Sequence, residues 1–229
     1  MNIDRTDLEA RARRHAALAD PARLRIADLL TLGDLSPSEL QDRLGLASNL
    51  IAHHLGVLER EGMISRTRSE GDRRRNYVHL TETATSGLGP SSAAAARRVL
   101  FVCTGNSARS QLAAALWQAR SAIPAVSAGT KPAASVAVGA IAAAERHGLD
   151  LTGASPRDVV DVMAETDFVV TVCDAAHEAL GEHGDLHWSV PAPGPAGTDA
   201  AFDAALEEIA ARVETLAGRL TLAQETSTG

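Results

Sequence analysis

The sequence predicts two domains of different class: a mostly helical domain carrying one β-hairpin, then a parallel α/β domain. Three observations carry this. The 229 residues, 45% of them hydrophobic, give enough chain for two small cores. Apolar residues before about residue 62 recur at helical spacing, whereas after residue 98 strand-like apolar runs alternate with helical ones, the pattern of a parallel sheet. Between them lies T-E-T-A-T-S-G-L-G-P-S-S-A-A-A-A-R-R, centred on Gly87, Gly89, Pro90, Ser91 and Ser92, a linker composition. The expected division is residues 1–82, a linker over 83–97, a second domain over 98–222 and a polar tail over 223–229.

Composition removes several classes. With 22% charged residues, 18 glycines and 9 prolines the chain is neither disordered nor collagen-like. No segment reaches the roughly 18 uncharged apolar residues of a membrane span, and residues 1–12 are too charged for a signal peptide, so a cytoplasmic protein without a membrane partner is expected. Two cysteines, Cys103 and Cys173, exclude a disulfide scaffold and a four-thiolate zinc site. The histidines show no metal-ligand spacing, so neither a metal nor another cofactor is expected. Net charge is −7, and residues 1–85 balance thirteen arginines against thirteen acids, leaving the whole excess on the second part. Six arginines between Arg60 and Arg75 face only Glu61, Glu70 and Asp72, a local positive patch of the kind that meets phosphates.

In the first domain, Asp20-Pro21 starts a helix ending near Gly33, with Leu24, Ile26, Ala27, Leu29 and Leu30 as its apolar side. Ser36 caps a short helix that buries Leu40 and Leu44 and stops at Gly45. A longer helix follows from about Ala47 to Glu61, with Ile51, Leu55 and Leu58 inward. Its other face offers Ser48, Asn49, Ala52, His53 and Gly56, small or hydrogen-bonding groups suited to a major groove. Residues 64–68 and 75–80 then form a hairpin around Gly71-Asp72, a wing whose Arg66, Arg68, Arg73, Arg74 and Arg75 reach phosphates or the minor groove. These parts make a winged helix-turn-helix, with double-stranded operator DNA as the expected partner.

In the second domain, R-V-L-F-V-C-T-G-N-S-A-R-S at 98–110 is a strand, a tight loop and a helix start. Such a loop turns backbone N–H groups toward one point, and the helix dipole adds positive charge, favouring a tetrahedral oxyanion. Thr104, Gly105, Asn106, Ser107, Ala108 and Arg109 are the candidate anion-binding residues. The same field favours a thiolate, which makes Cys103 the candidate nucleophile, with Ser110 placed to donate to it. Residues 201–220 are expected to form a helix that packs the sheet.

Two resemblances follow from these motifs. A-D-P-A-R-L-R-I at 19–26, L-S-P-S-E-L-Q-D-R-L-G-L at 35–46 and S-N-L-I-A-H-H-L-G-V-L-E-R-E-G-M-I at 48–64 resemble the ArsR-type winged-helix repressors. That resemblance implies a homodimer that reads bases through residues 48–54. The chain departs from the metal-sensing members of that family in having no cysteine before residue 103.

V-L-F-V-C-T-G-N-S-A-R-S-Q at 99–111, S-A-G-T-K-P-A at 127–133, D-F-V-V-T-V-C-D at 167–174 and H-W-S-V-P-A-P at 187–193 resemble the low-molecular-weight tyrosine phosphatases, in particular their arsenate reductase branch. This resemblance implies a four-stranded parallel sheet with helices on both faces. It carries over Cys103 as nucleophile, Arg109 as oxyanion binder, Asn106 and Ser110 as loop or thiolate support, and Cys173 at a resolving position. Two departures stand out. Pro191-Ala192-Pro193 lacks the Asp that protonates the leaving group, a contribution typically worth about 10²- to 10⁴-fold. Ala179-Leu180 stands where a third redox cysteine is expected.

Three functions follow as expectations. The first is a regulator whose second domain senses phosphate, arsenate, arsenite or oxidation at the Cys103 loop. The second joins a repressor to a working arsenate reductase that uses a small thiol, and the third is a tyrosine phosphatase with an accessory winged helix.

Overall fold

The computed structural model describes residues 5–81, 84, 94–194 and 197–223, and divides into two units near residue 90. The centre of the expected linker, residues 87–92, and the tail beyond residue 223 lie outside the described residues.

The first unit contains α1 (Arg5–Leu18), α2 (Pro21–Leu30), α3 (Pro37–Leu44) and α4 (Ser48–Arg60), then β1 (Ile64–Arg68) and β2 (Asn76–Leu80). Local chemistry explains most of the boundaries. Asp20 accepts the N–H groups of Ala22 and Arg23 at 2.9 and 3.0 Å, and Pro21 supplies a helical φ at a position that needs no donor. Ser36 and Glu39 close a reciprocal capping box on α3, with the Ser36 N–H donating to Glu39 Oε2 at 2.7 Å. Gly45 ends α3 at φ 64°, a left-handed turn that a Cβ would strain. Ile26, Leu30, Leu40, Ile51, Leu55, Leu58, Met63 and Val78 close the core.

Two helix-face expectations need correction. Leu24 is 40% exposed, because the buried stripe of α2 runs through Ile26 and Leu30 instead. Leu44 is only partly buried, although it packs against the core. β1 and β2 pair antiparallel from Ile64–Leu80 to Arg68–Asn76, and Leu35 bridges Val78 as a short third strand. A buried Asp34–His79 pair at 2.8 Å joins the turn before α3 to β2.

The second unit contains β3 (Ala94–Ala96), β4 (Arg98–Cys103), α5 (Arg109–Gln118), β5 (Ala125–Gly129), α6 (Val138–Arg146), α7 (Val159–Val162) and β6 (Asp167–Thr171). It continues with α8 (Asp174–Leu180), β7 (Leu186–His187), α9 (Asp199–Ala217) and β8 (Leu220–Leu222). Four strands form one parallel sheet in the order β5-β4-β6-β7. Central β4 buries Val99, Leu100, Phe101, Val102 and Cys103, the continuous apolar run expected of a strand covered on both faces. Phe101 lies between Trp117 and Trp188, with ring centroids 6.0 and 5.8 Å away. Arg98 forks onto Asp167 with bonds of 2.6 and 2.7 Å, pinning the register of β4 against β6.

Three expectations are corrected here. Ala94–Ala96, placed in the linker, form a strand because β8 pairs with them in parallel. The last helix spans Asp199–Ala217 rather than 201–220, and its chain returns as β8. The strand also ends sooner than a D-F-V-V-T-V-C-D run closing at Cys173 suggests: β6 stops at Thr171, and Cys173 occupies the N-cap position of α8.

Candidate functional site

The loop between β4 and α5 is built from its carbonyls outward. Thr104 O accepts from Lys131 N at 2.8 Å, Gly105 O from Ala133 N at 2.8 Å and Ser107 O from Ala137 N at 2.8 Å. Asn106 O accepts from Gln111 Nε2 at 3.1 Å. A trans peptide holds each C=O antiparallel to the next N–H, so the N–H groups of Gly105, Asn106, Ser107 and Ala108 face the opposite way. The Asn106 N–H shows the direction, reaching Cys103 Sγ at 3.1 Å. The loop also presses on β5: a Cβ on Gly129 would meet Thr104 O at 2.7 Å and the Asn106 backbone N at 3.0 Å. Glycine is therefore the residue that lets strand and loop approach.

Asn106 is the single non-glycine residue with positive φ, 47°, among the described residues. Its buried side chain holds that shape by accepting from Arg157 N at 2.9 Å and donating to Ser110 Oγ at 2.9 Å. Ser110 Oγ lies 3.0 Å from Cys103 Sγ. Cys103 thus has two polar neighbours at the N-terminal end of α5. Arg109 donates from its guanidinium to Val190 O at 2.7 Å, tying it to the segment after β7.

Cys173 lies near this loop, with its sulfur 3.4 Å from Thr104 Oγ1. Burial pushes its thiol up, a shift that Arg109 partly opposes and the nearby Cys103 reinforces. Cys103 and Cys173 are buried and not paired in a disulfide. Beside Cys173, the rings of His177 and His187 stack at 4.1 Å, and His187 Nε2 lies 3.2 Å from Asp174 Oδ1. Burial raises the Asp174 carboxyl, but the hydrogen bonds it accepts, that from His187 foremost, together outweigh it and the net shift is downward.

The structure therefore brings together Cys103, Thr104, Gly105, Asn106, Ser107, Ala108, Ser110 and Cys173, with Arg109 reaching across to Val190. The Pro191-Ala192-Pro193 triplet itself contains no acid. Two acids close to it in the sequence are engaged elsewhere: Asp185 accepts from Val169 N at 2.7 Å, and Asp199 pairs with Arg146 at 3.6 Å. Sequence reasoning missed Gln111, Arg157, the outer segment 130–137 and the histidine stack. The S-A-G-T-K-P-A stretch was the available signal for the outer segment, whose backbone role leaves no side-chain signature. Among the described residues no group of three or more His, Cys, Asp or Glu side chains is arranged for a metal ion, and no helix is long and apolar enough to cross a membrane.

In the first unit, Ser48, Asn49, Ala52 and His53 are all exposed on α4, while Ile51, Leu55 and Leu58 are buried. His54 is turned partly inward, its Nδ1 3.8 Å from Asp20 Oδ1. Arg66, Arg68, Arg73, Arg74 and Arg75 are exposed along the hairpin; Arg66 pairs with Glu59 at 3.0 Å and Arg68 bonds the carbonyl of Arg73.

Residues 98–227 match the low-molecular-weight phosphotyrosine protein phosphatase family, more than half of the chain. The chain belongs to that family. Residues 18–67 match a helix-turn-helix domain, so this family member joins a helix-turn-helix domain to its phosphatase-like domain. Among solved structures, the arsenate reductase of Archaeoglobus fulgidus is 30% identical with a TM-score of 0.47, covering 52% of this chain and 98% of its own. The tyrosine phosphatase Wzb of Escherichia coli K30, in complex with sulphate, is 22% identical with a TM-score of 0.46, covering 53% and 96%. An arginine phosphatase of Geobacillus stearothermophilus is 21% identical with a TM-score of 0.45, covering 53% and 90%.

Proposed function

We propose that this chain is a DNA-binding transcriptional regulator, acting as a homodimer on operator DNA, whose phosphatase-like domain receives its signal at the Cys103 loop. The signal is a tetrahedral oxyanion such as phosphate or arsenate, trivalent arsenic, or oxidation. One contrast carries the reading. The loop keeps its sulfur, its inward N–H groups and Ser110, while Pro191-Ala192-Pro193 carries no Asp of its own to protonate a leaving group. A site that binds an anion against a thiol but lacks acid catalysis suits recognition better than ester turnover. The exposed Ser48, Asn49, Ala52 and His53 supply base-edge contacts, and the hairpin arginines supply phosphate contacts that position the protein.

The proximity of Cys173 to the loop favours a second reading, arsenate reduction. In that reaction the Cys103 thiolate attacks arsenic(V) and one oxygen departs as water. Cys173 then attacks the Cys103 sulfur, forming a disulfide and releasing arsenic(III), and a small cellular thiol restores the pair.

A titration of operator DNA with the purified chain, repeated with phosphate, arsenate, arsenite and an oxidant, separates the two readings. A change in DNA affinity that requires Cys103 without consuming arsenate supports the sensor. Thiol-dependent arsenate consumption supports the reductase. Cys103→Ser is expected to retain the fold and phosphate binding while losing any turnover and any response of DNA binding to arsenite or oxidant. An unaltered response to arsenite and oxidant in Cys103→Ser refutes thiol sensing at this loop.

A further inference from the structure

The hydrogen bonds around Cys103 have a direction, and that direction can be traced to atoms that cannot reverse. Gln111, the third residue of α5, is buried, and its Nε2 faces three oxygens: Asn106 O at 3.1 Å, Asn106 Oδ1 at 3.2 Å and Ser155 O at 3.2 Å. Asn106 O and Ser155 O are backbone carbonyls and only accept, so the Gln111 amide must present its NH₂ to them. The Asn106 amide is then constrained in turn. Its oxygen faces two donors, Gln111 Nε2 and the backbone N–H of Arg157 at 2.9 Å, and a flipped amide would set donor against donor at both.

The consequence passes to the sulfur. With its oxygen held, Asn106 must point Nδ2 at Ser110 Oγ, 2.9 Å away. Ser110 Oγ accepts that bond, which leaves its own proton to go to Cys103 Sγ at 3.0 Å. The Asn106 backbone N–H also reaches the same sulfur, at 3.1 Å. Two donors therefore converge on one sulfur, the arrangement that supports it as a nucleophile.

We propose that Gln111 is a positioning residue: it sets the polarity of the Asn106–Ser110 relay so that Ser110 donates to Cys103. This rests on Cys103 being the reactive thiol of the loop. The assignment is separable from packing, because a side chain of equal size without the donor, or with an acceptor in its place, fills the same volume and changes only the direction of the bonds. Gln111→Glu sets a carboxylate against three oxygens and disfavours the native amide orientation. Gln111→Met removes the donor with little change of volume.

The test uses the full chain carrying Cys173→Ser, so that Cys103 is its one cysteine. Iodoacetamide alkylation is followed from pH 5 to pH 9, with near-ultraviolet circular dichroism reporting the packing of Trp117 and Trp188. Gln111→Glu is expected to alkylate about tenfold more slowly at pH 6, as for an upward move of the profile by about one pH unit. Gln111→Met is expected to move it in the same direction by a smaller amount, and it serves as the readout should the Glu variant lose its near-ultraviolet signal. In a Ser110→Ala background the relay is broken, so Gln111→Met should then leave the profile where Ser110→Ala alone puts it.

An unmoved profile in both Gln111 variants, against a parent that reacts readily at pH 6, overturns the positioning role and leaves the nucleophile assignment standing. So does an equal shift for Gln111→Met with and without Ser110. A parent that alkylates like an ordinary surface thiol overturns both at once.

Discussion

At the scale of single residues, the loop depends on one asparagine in a conformation that side chains rarely adopt. Asn106 holds φ 47° because its amide meets Arg157 N, Gln111 and Ser110, so its replacement loses both the local preference and the buried bonds. Alanine in the left-handed region costs about 1–2 kcal/mol, and leaving buried partners unmatched costs about 1–3 kcal/mol more. Asn106→Ala is therefore expected to destabilise the second unit by about 2–5 kcal/mol in urea unfolding and to weaken phosphate binding. The cysteines should also differ in behaviour. Burial pushes the Cys173 thiol up, so iodoacetamide at pH 7 is expected to modify Cys103, the candidate nucleophile, ahead of Cys173. Peptide mapping by mass spectrometry reads the order. Cys103, Arg109 and Ser110 were legible in the sequence because a loop closing on a helix start has a recognisable residue pattern. Gln111 and Arg157 were not, since what they contribute is a bond to a residue 5 or 51 positions away, and nothing in their type announces it.

At the scale of elements, boundaries written in capping chemistry were legible and boundaries set by pairing were not. Asp20, Ser36 and Gly45 mark the ends of α2 and α3 by bonds within four residues, and the structure places the ends where that chemistry puts them. β3 and β8 are three residues each, and alanine at 94–96 carries no strand preference of its own; they are strands because they meet. Leu24 shows the same limit on a helix face, since an apolar residue at roughly helical spacing was still left outside the stripe that packs.

The α2 cap also has a pH signature. Bonds from the backbone N–H of Arg23, aided by Arg23 and His54 charge and opposed by burial, hold the Asp20 carboxyl below its ordinary value of 3.8. A lowered carboxyl contributes stability that is fully present above the unfolded value and is lost as pH falls through the folded one. Asp20→Asn is therefore expected to flatten the acid limb of stability below about pH 4. Circular dichroism melts at pH 3 and pH 6 check it: an equal difference from the parent at both values would refute the assignment.

At the scale of the whole molecule, the first 85 residues carry no net charge and the remainder carries all of the −7, so nucleic-acid binding must come from a local patch. Replacing Arg73, Arg74 and Arg75 together is expected to weaken binding to all DNA sequences alike and to reduce the salt slope by about 0.9 for each phosphate that is no longer neutralised. Fluorescence anisotropy across a salt series measures this; a change confined to one operator sequence would assign those arginines to base reading instead. If an oxyanion at the Cys103 loop alters DNA affinity by some factor, operator DNA must alter oxyanion affinity by the same factor. Paired titrations measure both.

The sequence by itself determined the two domain classes, the helix-turn-helix with its exposed polar face, the strand-loop-helix around Cys103 and the absence of an acid between Pro191 and Pro193. Each of these is encoded by neighbours within a few positions, through periodicity, capping or turn chemistry. Only the tertiary structure decided that Lys131, Ala133 and Ala137 turn the loop carbonyls outward, that Gly129 lets the loop approach β5, and that Cys173 sits at a helix start beside Thr104. Those are contacts between segments distant in the chain, made by backbone groups common to every residue, and their partners are chosen by packing the sheet.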